Sequence, residues 1–97
     1  MVNFKFALTE HSICRFKQRV KEYLKTDNFD IYIILQKEQQ HANLTYISPD
    51  KKTHYYELPN YEGYYFVVTA FDHVCTTILK LNHKKILELD YPTSNDY

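Results

Sequence analysis

His11, Arg15 and Arg19 recur every fourth residue in the run His-Ser-Ile-Cys-Arg-Phe-Lys-Gln-Arg, residues 11 to 19. If that run is helical, residues four apart sit about 40° from one another, so the three form one polar stripe. An imidazole that can give or take a proton, beside two permanent cations, is equipment for acid/base chemistry on a phosphodiester. The ring moves the proton while a planar guanidinium fork holds the phosphate. RNA transesterification asks for a base at the 2′-OH, an acid at the 5′-oxygen and cations on the phosphate, and each well-placed acid or base is worth about 100- to 10,000-fold in rate. An ordinary solvated helix face presents the same stripe.

A second constellation lies in Asp50-Lys51-Lys52-Thr53-His54-Tyr55-Tyr56. In an extended chain Lys52, His54 and Tyr56 share one face, which offers a cation for a phosphate, a second imidazole for catalysis and a ring on which a base can stack. The bland alternative is that Lys51 and Lys52 decorate a turn. Thr76 and Thr77 come late in the chain and, in a strand, point to opposite faces, so one hydroxyl is free to meet a ligand. Ten tyrosines, six of them between residues 46 and 65, suit base stacking, a protein interface or simple cover for a sheet. His11, His41, His54, His73 and His83 fall on different segments with no His-x₃-His or Cys-x₂-Cys spacing, so neither a metal site nor a cofactor is expected.

The elements that must position these residues are legible from periodicity. Residues 3 to 8 alternate as a short strand. Thr9 sits where an N-cap belongs, with Glu10 in the first turn, and Ile13, Phe16, Val20, Tyr23 and Leu24 make one apolar stripe. A helix over about 10 to 25 follows, with the His11 side turned away from the core. The apolar run Ile31 to Leu35 could be a buried strand, but the Thr26-Asp27-Asn28 cap and the glutamine-rich tail favour a second helix over 28 to 40. Past Asn43 the period changes to two: Leu44–Ser48, Thr53–Leu58, Tyr64–Ala70 and Val74–Leu81 read as strands divided by turn residues. Asn82 caps a short helix, and residues 90 to 97 fray. The expected fold is α+β: an N-terminal strand and two helices packed on one face of an antiparallel β-meander, the other face left open.

Composition bounds the function. A chain of 97 residues, 44% hydrophobic and 25% charged with one Gly and three Pro, reads as a single ordered domain over 1–97 with its core at about 3–89. No apolar run has the length of a membrane span and no leader pattern opens the chain, so a cytoplasmic protein without a membrane partner is expected. Cys14 and Cys75 then read as buried thiols rather than a disulfide. Net charge is zero, yet residues 1–25 hold six Lys/Arg against two acids and residues 26–97 hold six against ten. That asymmetry permits a basic face, while a neutral chain excludes the strong footprint of a duplex-DNA binder.

Leu8 to Arg19 also resembles the H-[AS]-x-x-R-x-x-x-R opening of small bacterial and phage domains grouped with RelE-type toxins among the barnase, EndoU, colicin and RelE ribonucleases. Tyr65–Thr69 and Val74–Leu79 look like the last two strands of those domains, with their V-x-T-[VI] ending. The resemblance implies a RelE-like fold and a metal-independent endoribonuclease, or a toxin-like relative, cleaving exposed RNA. It matches His11, Arg15 and Arg19 to the motif's His and two Arg, and Thr76 or Thr77 to the late Thr; an antitoxin is then an expected partner. Lys52, His54 and Tyr56 rest on physical reasoning alone. The competing expectation is a non-catalytic phage or plasmid protein that binds and inhibits a host protein through its Tyr-rich sheet.

Overall fold

The computed structural model describes residues 5–89. Its elements are β1 (Ala7–Leu8), α1 (Glu10–Arg19), a 3₁₀ turn (Lys21–Tyr23), α2 (Asn28–His41), β2 (Asn43–Ile47), β3 (Thr53–Glu57), β4 (Tyr64–Thr69), β5 (Val74–Lys80) and α3 (His83–Ile86). The chain is α+β with one five-stranded sheet in the order β1-β5-β4-β3-β2. β2, β3, β4 and β5 pair successively and antiparallel. β1 runs parallel to β5, with Ala7 opposite Val74 and Leu8 opposite Cys75, so the sheet is mixed rather than purely antiparallel.

α1 begins as its sequence requires. The Thr9 hydroxyl accepts from Ser12 N–H at 3.1 Å and the Ser12 hydroxyl accepts from Thr9 N–H at 3.1 Å, a closed capping box. Thr9 Oγ1 also donates to Cys75 O at 2.8 Å, pinning the helix start to β5. The helix expected to reach residue 25 stops at Arg19, because Val20 leaves helical geometry (φ −105°, ψ 89°) after donating to Phe16 O. A β-branched residue suits that exit. The chain then tightens so that the Tyr23 ring stacks on Phe16 at 5.5 Å and its hydroxyl meets that of Tyr61 at 2.8 Å.

Of the strand expected over 3–8, residues 3 and 4 lie outside the described residues, and β1 takes Ala7–Leu8 but not Lys5 and Phe6. Lys5 N–H and Phe6 N–H both donate to Gln39 Oε1, at 3.1 and 3.3 Å, instead of to a strand. Gln39 is fully buried, so its amide does locally what a ladder would do. α2 matches its expected span within a residue and buries Ile31 and Leu35 on the sheet. Glu38, also buried, accepts from the Asn60 N–H at 2.9 Å and from the Asn60 amide at 2.7 Å.

Two apolar layers result. Phe16, Ile31, Leu35, Phe66, Val68, Cys75 and Ile78 form the core between the helices and the sheet. On the opposite face Tyr46, Tyr55 and Tyr65 pack with Leu81, Ile86 and Leu89. The face expected to lie open is therefore covered, and α3 sits across the sheet from α1 and α2. Asn82 caps α3 as expected, its Oδ1 accepting from Lys85 N–H at 2.8 Å. The fraying expected for 90–97 lies outside the described residues. Among those described, no helix is long and apolar enough to cross a membrane, and both cysteines are free.

Candidate functional site on the polar face of α1

α1 lies over β5, with its first turn tied to Cys75 and its last to Ile78. His11, Arg15, Gln18 and Arg19 occupy the side turned from the core. Arg15 Nε donates to His11 Nε2 at 3.3 Å and Arg15 Nη1 donates to Gln18 Oε1 at 3.2 Å, so the four-residue spacing does bring the ring and the first guanidinium together. In that arrangement Nε2 carries the lone pair and Nδ1 the ring proton.

Arg19 is held by the sheet. Its Nε donates to Ile78 O at 2.8 Å, on the stretch of β5 beyond the point where β1 stops pairing. An edge carbonyl without a neighbouring strand is thus satisfied by a guanidinium, whose outer nitrogens keep their donors. Arg19 O accepts from the Tyr64 hydroxyl at 3.2 Å, and Lys80 Nζ lies 5.7 Å from the centre of the Tyr64 ring. Arg15, Gln18, Arg19, Tyr64 and Lys80 enclose a hollow of about 290 Å³. Its lining has three cations and no carboxylate, an environment that favours an anion.

Lys80, Tyr64 and Gln18 are functional candidates that motif reasoning passed over. The available signal was register: Tyr64 pairs directly with Lys80, and Tyr64 alternates with Phe66 and Val68 on the helix-facing side. Pairing the last two strands residue by residue places the lysine beside α1.

The second constellation is carried by β3 and the turn before it. His54 pairs with Val68 and Tyr56 with Phe66, so both face the helices. The Tyr56 ring packs 5.1 Å from Phe6, which makes it part of the core wall. His54 Nδ1 is buried without a hydrogen-bond partner, and burial followed by the nearby His73 holds its pKa below the ordinary imidazole value. Among the described residues no hydrogen bond joins His11 to His54 or Lys52. Lys52 is exposed in the turn before β3, where its N–H donates to Asp50 Oδ1 at 3.0 Å and its carbonyl accepts from Ala70 N–H.

Thr76 is a bulge residue. Val67 pairs with Thr77 and Val68 with Cys75, which leaves Thr76 as the extra residue of β5. Its hydroxyl donates to Val67 O at 3.2 Å, an internal satisfaction of the bulged ladder. Thr77, half-buried, pairs with Val67 and its carbonyl accepts from Cys75 Sγ at 3.3 Å.

One end of the α1 face thus carries an imidazole hydrogen-bonded to a guanidinium, and the other a three-cation hollow. Such an arrangement can hold a phosphate and transfer a proton next to it. No group of three or more His, Cys, Asp or Glu among the described residues is placed to hold a metal ion. Comparison with family models, with curated proteins and with solved structures finds no match for this chain.

Proposed function

We propose that this chain binds single-stranded or exposed RNA along the polar face of α1 and cleaves it by transesterification, with His11 as the proton carrier. The observation that supports this is the carboxylate-free hollow of Arg15, Arg19 and Lys80 joined to His11 through Arg15. RNA supplies its own nucleophile: the 2′-oxygen forms a bond to phosphorus, the bond from phosphorus to the 5′-oxygen breaks, and the 2′-proton ends on that 5′-oxygen. Before substrate arrives, Arg15 covers His11 Nε2. A phosphate draws the guanidinium into a bidentate contact, and the freed Nε2 accepts the 2′-OH proton. The leaving oxygen is protonated by His11 itself or by water, since the hollow holds no second imidazole. A RelE-like, toxin-like role with an antitoxin partner is part of the same proposal, supported by the order of elements and by the His11-Arg15-Arg19 motif.

The test is cleavage of labelled RNA in excess chelator by the wild type and His11→Ala. Loss of at least about 100-fold is expected for the variant. Activity that requires a divalent ion, or that survives the substitution, ends this mechanism.

A second reading, a non-catalytic protein that docks on a host protein, is favoured by a different surface from the one expected. The sheet tyrosines Tyr46, Tyr55 and Tyr65 are buried, whereas Phe29, Tyr32 and Ile33 are exposed together at helical spacing on α2. Apolar side chains grouped on one exposed helix face fit a partner helix or groove. A stoichiometric protein captured from nuclease-treated lysate, lost on Tyr32→Asp and unaccompanied by RNA scission, would favour it.

A further inference from the structure

Phe71 stands at the tip of the turn joining β4 to β5 with 97% of its surface exposed. The turn is not slack. His73 N–H donates to Thr69 O at 2.9 Å, Val74 N–H donates to the Thr69 hydroxyl oxygen, and that hydroxyl donates to Asp72. The neighbouring turn between β2 and β3 is equally tied. Lys51 N–H donates to Ser48 O at 2.8 Å, and Asp50 accepts from both the Ser48 hydroxyl and Lys52 N–H. Ala70 N–H donates to Lys52 O at 2.9 Å and joins the two turns. Lys51 and His73 each adopt a left-handed backbone, at φ 65° and 55°, a conformation that non-glycine residues accept only where surrounding bonds impose it. A hollow of about 500 Å³ lies between the turns, lined by Lys51, Lys52, Thr69, Ala70 and Phe71.

A solvent-facing phenyl ring carried on a tied turn next to two lysines has the makings of a base-stacking subsite: the π-face takes a nucleobase and an ammonium meets the flanking phosphate. The charge balance decides between partners. Asp50 and Asp72 offset Lys51 and Lys52, so the tip lacks the net positive charge on which adsorption to an anionic lipid surface depends. Stacking on one ring with a single phosphate contact does not need it. Position agrees as well. Val74, which follows this turn, pairs with Ala7, and Thr9 donates to Cys75 O, so the first turn of α1 with His11 lies at the same end of the sheet as Phe71.

We infer that Phe71, with Lys52 and Lys51, forms a stacking subsite for an unpaired base of the RNA whose backbone runs along α1. This rests on the RNA reading above and adds a second point of contact to it. An RNA carrying an unpaired base at this end gains affinity over one without it, whatever the base identity.

The experiment is binding of a fluorescent 2′-O-methyl oligonucleotide, which cannot be cleaved, to the full chain, beside the same oligonucleotide made abasic. Phe71→Ala, checked by circular dichroism, is expected to weaken binding about 5- to 100-fold, and Phe71→Trp to retain it with quenching of the new indole. The abasic strand is expected to bind the wild type as poorly as the intact strand binds Phe71→Ala. Wild-type RNA binding that is indifferent to both changes overturns the subsite and leaves the RNA reading standing. No wild-type binding at all overturns both. Capture of the wild type but not Phe71→Ala on phosphatidylserine vesicles, with no abasic effect, overturns it in favour of a lipid surface.

Discussion

Lys80 is the cation of the α1 hollow whose removal costs the fold least. Arg19 satisfies Ile78 O and Arg15 orders His11, whereas among the described residues the exposed Lys80 ammonium makes no hydrogen bond or ion pair and lies beside the ring of Tyr64. Lys80→Gln therefore isolates the electrostatic contribution of the hollow. Each cation that neutralises a phosphate of a single strand contributes about −0.7 to the slope of log K against log salt. If Arg15, Arg19 and Lys80 each neutralise one charge, the hollow contributes a slope of about −2.1, an affinity loss of roughly 18-fold between 50 and 200 mM salt. Lys80→Gln reduces that slope to about −1.4 and the loss to roughly 7-fold, so its deficit against the wild type shrinks about 2.6-fold across the range. Anisotropy titrations of an uncleavable 2′-O-methyl strand at four or so salt concentrations, with both proteins side by side, measure it. Equal slopes for the two proteins would refute the assignment of a phosphate to this hollow, even if Lys80→Gln bound more weakly at one salt concentration.

Three further predictions concern the fold that carries the site. Glu38→Ala leaves the Asn60 N–H and amide without their acceptor and should destabilise by about 1–3 kcal/mol. Calorimetry should then show a Tm drop of roughly 4–8 °C per kcal/mol, and an unchanged Tm refutes the role. Burial pushes the Cys75 thiol up to about 12. In native protein at mild alkaline pH a disulfide reagent should therefore titrate the half-buried Cys14 alone, with the second thiol appearing only in denaturant. His54 is held below its ordinary value of 6.5, first by burial and then by His73. Folding thus favours the neutral ring, and this contribution is fully present above pH 6.5 and lost as pH falls, when the unfolded chain takes up the proton. His54→Leu should flatten the decline of Tm between pH 7 and 5; a slope equal to the wild type's would show that His54 is not the group responsible.

Local signals determined much of this protein. The Thr9 and Asn82 caps, the core stripe of α1 and the period-two runs of β2 to β5 depend on residues within one turn or one strand, where propensity and side-chain spacing act directly. His11 and Arg15 met for the same reason, because four residues along a helix is a contact distance. What depended on distant partners was decided only by the tertiary structure. β1 shrank because Gln39, more than thirty residues away, took the N–H groups of Lys5 and Phe6. α1 ended early because Tyr23 had to reach Phe16 and Tyr61. The tyrosine-rich face was covered by Leu81, Ile86 and Leu89, and burial depends on what comes back to pack, which alternation within a strand does not encode. The site divided along the same line. Its helical half stood in the spacing of the chain, while Lys80 and Tyr64 joined it through cross-strand register, and Lys52 and His54 belong to the turn before β3 and to β3 itself, two strands from β5 in a sheet order that no local pattern contains.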